Sequence, residues 1–368
     1  MSCKELATSG GSGFRSSAKQ VQHRLRGSAE ASPSRLLQRD ANICRVSGSV
    51  PRCPASGNLV KNLLPQQYDG FSMAHSDRFS TGIPALDELL GGGLIPGTLT
   101  VVMGATGIGK TQLGLQFANA GKQQEGERGI LFDMTSRGDA QNHADYAQRM
   151  FEWALKSRLM DAPNAPEDVW NREQIRTDYF HVFDRTGRRV TMRDLDKEQW
   201  AEWRAELNKK LDQAIAFFYG NFAHGVRRAV IDGVEPVDRA SDSFQFQLFD
   251  YIYHQILHKD HDWVARDLFR VNFRANEATV QQHAYDHTKL ATMLMYTSHE
   301  VRLDDLINRP IESGDELCNA NTIILMGKVR EGNRMRRALH IAKHRGSAAD
   351  DGIVPFEIVD SGIVFPKT

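Results

Sequence analysis

Residues 104–111 read Gly-Ala-Thr-Gly-Ile-Gly-Lys-Thr and fit the pattern G-x-x-x-x-G-K-[ST]. The run Thr98-Leu-Thr-Val-Val-Met103 before it is apolar and β-rich. Leu113, Phe117 and Ala120 after it recur at helical spacing. Strand, glycine loop and helix in that order form a phosphate cradle. Glycines let successive backbone N–H groups turn inward, and the helix N-terminus adds its dipole. Gly104, Ala105, Thr106, Gly107, Ile108, Gly109, Lys110 and Thr111 are therefore the candidate nucleotide-binding residues. Lys110 is placed to reach β- and γ-phosphates, and the Thr111 hydroxyl to ligate Mg²⁺.

Such a loop needs a second, acidic half at the C-terminal end of a neighbouring strand. Ala229-Val-Ile-Asp232 supplies it: an apolar strand that ends in an acid, with Asp232 holding Mg²⁺ and orienting Thr111. Hydrolysis also needs a group that orients or deprotonates water. Asp133, at the end of the strand Gly129-Ile-Leu-Phe-Asp-Met134, is the candidate, with Glu235 a weaker one. Thr297 and Ser298, at another strand end, are placed either to sense a γ-phosphate or to cap the strand.

The rest of the chain reads as alternating strands and helices that end in hairpins. Residues 195–217 and 244–257 carry helical periodicity. Thr292–Thr297 reads as a buried strand, and Tyr179–Thr191 as a hairpin turning at Arg185-Thr-Gly187. Asn321–Met326 pairs with Ala338–His344 across Glu331-Gly-Asn333, and a last hairpin turns at Asp360-Ser-Gly362. The expected fold is α/β, a mostly parallel twisted sheet flanked by helices with C-terminal β-hairpins. His254, His258 and His261 have helical spacing but no acid at motif spacing, so a solvated helix face is expected rather than a metal site.

Residues 1–72 differ from the remainder of the chain. They are rich in Ser, Arg and Gly and carry ten Lys/Arg against four Asp/Glu, a net of +6 in a chain of net charge zero. They read as a disordered basic tail, with a transit peptide or a natural start at Met73 as alternatives. Residues 73–368 read as one ATPase-like domain. Three of the four cysteines, Cys3, Cys44 and Cys53, fall in the tail without C-x-x-C spacing, and no apolar run approaches membrane-spanning length. A cytoplasmic protein is the expectation.

The segment Ser80-Thr-Gly-Ile-Pro-Ala-Leu-Asp-Glu-Leu-Leu-Gly-Gly-Gly-Leu-Ile-Pro-Gly97, followed by the loop, resembles the opening of the KaiC-like branch of the RecA-superfamily P-loop ATPases. The stretches Arg336–Ser347 and Pro355–Val364 resemble its C-terminal part. The resemblance covers residues 79–134 and 225–365. Segments near 160–215 and 258–290, with Trp170, Trp200, Trp203 and Trp263, stand as insertions that form either partner anchors or small local cores. The resemblance implies a RecA-type core, ATP with Mg²⁺, and a homo-oligomeric ring, a hexamer, with nucleotide between subunits. Adjacent glutamates activate water in that branch. Here the pair reads Asp133-Met134, which implies slow hydrolysis. The branch also reaches into the neighbour's nucleotide with Lys-x-Arg, a spacing met by Lys343 and Arg345.

Three functions fit these features: a regulatory ATPase switch with an unidentified protein partner, a recombination or repair ATPase acting on single-stranded DNA, and a scaffold that binds ATP without turnover. The segments 236–243 and 300–316 stand where DNA-handling relatives carry basic loops. Both are net acidic here, which argues against nucleic acid. With one such domain and an end at Thr368, a clock role is not expected.

Overall fold

The computed structural model of the chain describes residues 78–135, 143–158, 166–183, 196–235, 244–309, 319–346 and 348–366. At its centre lies β1 (Leu99–Gly104), the apolar run before the glycine loop, buried along its whole length. A strand buried on both faces belongs in a parallel sheet covered by helices on both sides. Its neighbours are both parallel, β5 (Ala291–Thr297) and β6 (Thr322–Glu331). Beyond β5 lie β4 (Arg228–Val234), β2 (Ile130–Asp133) and β3 (Tyr179–His181), again all parallel. Beyond β6 the pairing turns antiparallel through β7 (Arg334–His344), β8 (Ile353–Val359) and β9 (Gly362–Val364). The order β3-β2-β4-β5-β1-β6-β7-β8-β9 is the expected RecA-type sheet with its C-terminal hairpins.

Alternation along the strands divides the interior into two cores. Leu99, Val101 and Met103 meet Ile130, Phe132, Ala229 and Ile231 on one face. Val102, Leu131 and Val230 feed the other. The helix α2 (Lys110–Gln124) covers the second face with Leu113 and Phe117. The long helix α5 (Lys197–Ala223) covers the first with Phe217, Phe218 and Phe222. Its N-terminus is fixed by a capping box in which Asp196 and Gln199 satisfy each other's backbone N–H groups. Arg228, fully buried, ties β4 to the end of α2 through Glu125 at 2.7 Å and to the Ser80 carbonyl at 2.6 Å.

Most of the expected elements form where the periodicity places them. The segment 244–257 is α6 (Phe244–Ile252) running into a π-helical turn, Tyr253–Leu257. The strand expected to begin at Tyr179 forms as β3, which joins β2 in parallel and places Phe180 in the aromatic core beside Phe132 at 5.6 Å. The turn expected at 185–187 lies outside the described residues, as do Met73 and the rest of the basic tail.

The expected insertions pack on each other. A 3₁₀ turn, Pro166–Trp170, meets α7 (His261–Phe269) and α8 (Phe273–Gln282), and the short helix α4 (Arg172–Ile175) packs on that turn and on α5. Trp170 stacks on Phe269 at 5.2 Å and meets Tyr219 edge-on, so this tryptophan builds a local core. Trp263 is 47% exposed beneath the Lys259 ammonium. The side chains of Trp200 and Trp203 lie outside the description. His254 pairs with Asp250 and His258 packs on the Tyr253 ring. Among the described residues no metal-binding cluster forms around them or elsewhere. No helix among the described residues is long and apolar enough to cross a membrane.

Candidate nucleotide-binding site

The glycine loop leaves β1 at Gly104 and enters α2 at Lys110. Gly104 sits where no other residue fits, since a Cβ there would lie 2.3 Å from the Met326 carbonyl of β6. Gly109 turns at φ +122°, and its added Cβ would meet Ile358 at 2.9 Å. Thr106 and Gly107 are exposed at the apex, while Ala105, Ile108, Lys110 and Thr111 are buried below it. Lys110 Nζ folds back over the loop and donates to the carbonyls of Gly104 at 2.8 Å and Ala105 at 3.1 Å. Burial lowers its pKa to about 8, although the charge of Asp232 opposes that fall.

The sheet register brings the two acids level. Asp133 and Asp232 are paired residues of β2 and β4: Asp133 ends its strand, Asp232 stands two residues before the end of its own, and both are buried. Asp232 Oδ2 accepts the Thr111 hydroxyl at 3.0 Å, which joins the acid to the glycine loop as expected. Its other oxygen, Oδ1, is buried with no hydrogen-bond partner among the described residues. Burial opposes ionisation of Asp232. The contacts with His143, Lys110 and Thr111 outweigh it and hold the carboxyl below its usual range. A hydroxyl beside an ionised carboxylate with a spare oxygen is a donor set that suits a hard cation such as Mg²⁺. Thr297 also arrives here: it pairs with Gly104, and the N–H of Ser298 donates to the Gly104 carbonyl at 3.1 Å.

Asp133 sits in a cage. Oδ1 accepts the Thr135 N–H at 2.8 Å, and Oδ2 accepts the Tyr179 hydroxyl at 2.5 Å. His143, at the start of α3 (His143–Phe151), stands between the acids, with Nε2 3.0 Å from Asp232 and Nδ1 3.5 Å from Asp133. His181 lies 3.9 Å from Asp133 and reaches the Thr135 carbonyl at 2.9 Å. Met134 is fully buried in the core on one face of the sheet.

Three of these partners have no counterpart in the motif reading. His143 lies ten positions past Asp133 across residues 136–142, with no spacing to connect them. Tyr179 and His181 had one visible signal, since residues two apart on a strand share a face.

Lys343 and Arg345 stand apart from this pocket. Lys343 pairs with Ile323, and Ile323 with Val101, which places it two strands across from β1 and three residues below Gly104. That is roughly 10 Å along the sheet and roughly 10 Å across it. Arg345 is exposed and lies outside β7, which ends at His344 between the two. Strand alternation therefore does not by itself put the two on one face.

Comparison with known proteins points the same way. Residues 79–159 match the family described as "ATPase: KaiC". The chain is 25% identical over 303 residues to the circadian clock oscillator protein KaiC of Parasynechococcus marenigrum, covering 81% of this chain and 46% of that protein. Against the KaiC of Synechococcus elongatus it is 27% identical over 299 residues, 78% of this chain and 44% of the relative. With the KaiC of Thermostichus vulcanus a 55-residue stretch is 47% identical, 15% of this chain and 10% of the other. The chain thus spans less than half the length of these relatives.

Proposed function

We propose, from the premise that the chain is a KaiC-like ATPase of the RecA superfamily, that it binds ATP with Mg²⁺ and hydrolyses it slowly as a regulatory switch in a homo-oligomeric ring. The observation that carries this reading is the Thr111–Asp232 contact at 3.0 Å beside the buried Lys110. It joins loop and acid into one pocket, the minimum that phosphoryl chemistry requires. Mg²⁺, when bound, supplies positive charge to the phosphate oxygens. Thr111 and Asp232 would hold it.

The residues divide the remaining work. The loop N–H groups and the α2 N-terminus bind phosphate oxygens. Lys110 exchanges its carbonyl contacts for the β- and γ-phosphates. In the reaction, the water oxygen bonds to the γ-phosphorus and the bond to the bridging oxygen breaks. The electron pair leaves with ADP, and Asp133 takes the water proton. A single water-activating carboxylate, with Met134 where the resemblance has a second glutamate, supports slow turnover, since a well-placed base contributes roughly 10²- to 10⁴-fold. Lys343 and Arg345 lie too far from their own loop to serve it, so any contribution is to a neighbouring subunit's nucleotide. The domain is read as residues 73–368 with its two insertions.

The test is Asp133→Asn, followed by phosphate release from Mg-ATP. Turnover is expected to vanish while ATP affinity stays the same. Unaltered turnover would remove Asp133 from the mechanism.

A second reading, an ATPase acting on single-stranded DNA, draws on one observation. The tip of the β6–β7 hairpin, residues 328–337, carries Lys328, Arg330, Arg334, Arg336 and Arg337 against the lone acid Glu331, and most of these side chains are exposed.

A further inference from the structure

We propose that the Tyr179 hydroxyl is a brake on hydrolysis, occupying the Asp133 oxygen that the attacking water needs. The inference rests on the reading of Asp133 as the water-activating carboxylate. A general base must lie within hydrogen-bond reach of the proton it takes. The Asp133 side chain is only 2% exposed. Its Oδ1 is held by the Thr135 N–H, and its Oδ2 by the Tyr179 hydroxyl at 2.5 Å with His143 Nδ1 at 3.5 Å on the same oxygen. A hydroxyl donating to a carboxyl oxygen over so short a distance belongs to the strong class of hydrogen bonds. Met134, buried in the core, offers no second carboxylate.

The fold explains both the contact and its capacity to open. In the parallel register Leu131 pairs with Tyr179 and Asp133 with His181, so Asp133 and Tyr179 share one face of adjacent strands. Tyr179 is partly exposed, with the His143 ring 5.3 Å from its own, whereas its neighbour Phe180 anchors β3 in the core and Lys156 and Arg158 hold the Tyr179 backbone on the outer side of the strand. The ring can therefore swing off Asp133 while β3 stays in place. Each turnover waits for that movement, after which water enters beside Oδ2, attacks the γ-phosphorus and gives its proton to Asp133 as ADP departs.

The experiment compares the full chain with Tyr179→Phe, Asp133→Asn and the double variant in a phosphate-release assay with Mg-ATP, alongside ATP affinity. Tyr179→Phe removes one hydrogen bond to a charged group and is expected to raise kcat about tenfold. ATP affinity should not change, and the double variant should be as inactive as Asp133→Asn. Equal or lower kcat in Tyr179→Phe, with Asp133→Asn inactive, would overturn the brake and leave Asp133 as the base. Retained turnover in Asp133→Asn would instead overturn the reading beneath it. If Tyr179→Phe does not fold, as judged by circular dichroism, Tyr179→Leu removes the same hydroxyl. Acceleration in that variant supports the brake and its absence contradicts it.

Discussion

Lys110 and Thr111 are neighbours in the chain with separate tasks. The hydroxyl of Thr111 is bound to Asp232, while the ammonium of Lys110 rests on the loop carbonyls that a phosphate would displace. Lys110→Ala removes the one flexible cation of the loop. Losing a charge-assisted contact of about 1.5–3 kcal/mol should weaken ATP binding roughly 10- to 100-fold, read by displacement of a fluorescent nucleotide. Binding of wild-type strength in that variant would place the phosphates elsewhere. These two residues and Asp232 were legible because the chemistry fixes residue type and spacing together. The surroundings of Asp133 were not. Tyr179 and His143 reach it from 46 and 10 positions away through the sheet register and a helix start, and neither carries a motif of its own.

At the scale of elements, β1 and α2 were readable from apolar runs and helical spacing because both are buried against large neighbours. What joins them is tighter than a pattern reveals. Gly104→Ala forces a methyl group to within 2.3 Å of the Met326 carbonyl, so β1 and β6 must part at the loop. Such overpacking costs typically about 1–3 kcal/mol, which a urea titration reads as a lower midpoint with an unchanged slope. An unshifted midpoint would mean that the two strands separate freely there. Of the hairpin expected from Tyr179, only the first strand lies in the described residues. Alternation identifies a strand but not its partner, and the core position of Phe180 drew β3 onto β2. Likewise, the spacing of Lys343 and Arg345 could not disclose that β7 ends at His344, between them.

Across the whole molecule, the order of strands and helices was legible, and so was the charge of each stretch, but not where the fold would place it. The neutral total conceals a basic run at residues 328–337 that forms the tip of the β6–β7 hairpin, where Lys328 and Arg337 face each other. Five basic side chains would attract a polyanion, while the net-acidic segments 236–243 and 300–316 would repel it. The switch reading expects no binding of single-stranded DNA in a fluorescence-anisotropy titration at moderate salt. Micromolar binding that weakens as salt rises would favour the DNA-directed reading instead.

Beneath both readings lies one pocket, in which a glycine loop, an ammonium, a hydroxyl and a buried acid are brought together by three parallel strands. Isothermal titration calorimetry of the full chain with ATP, in the presence and absence of Mg²⁺, tests that pocket most directly. The account predicts saturable uptake of ATP that tightens with the metal. A folded protein that takes up no adenine nucleotide under either condition would contradict it.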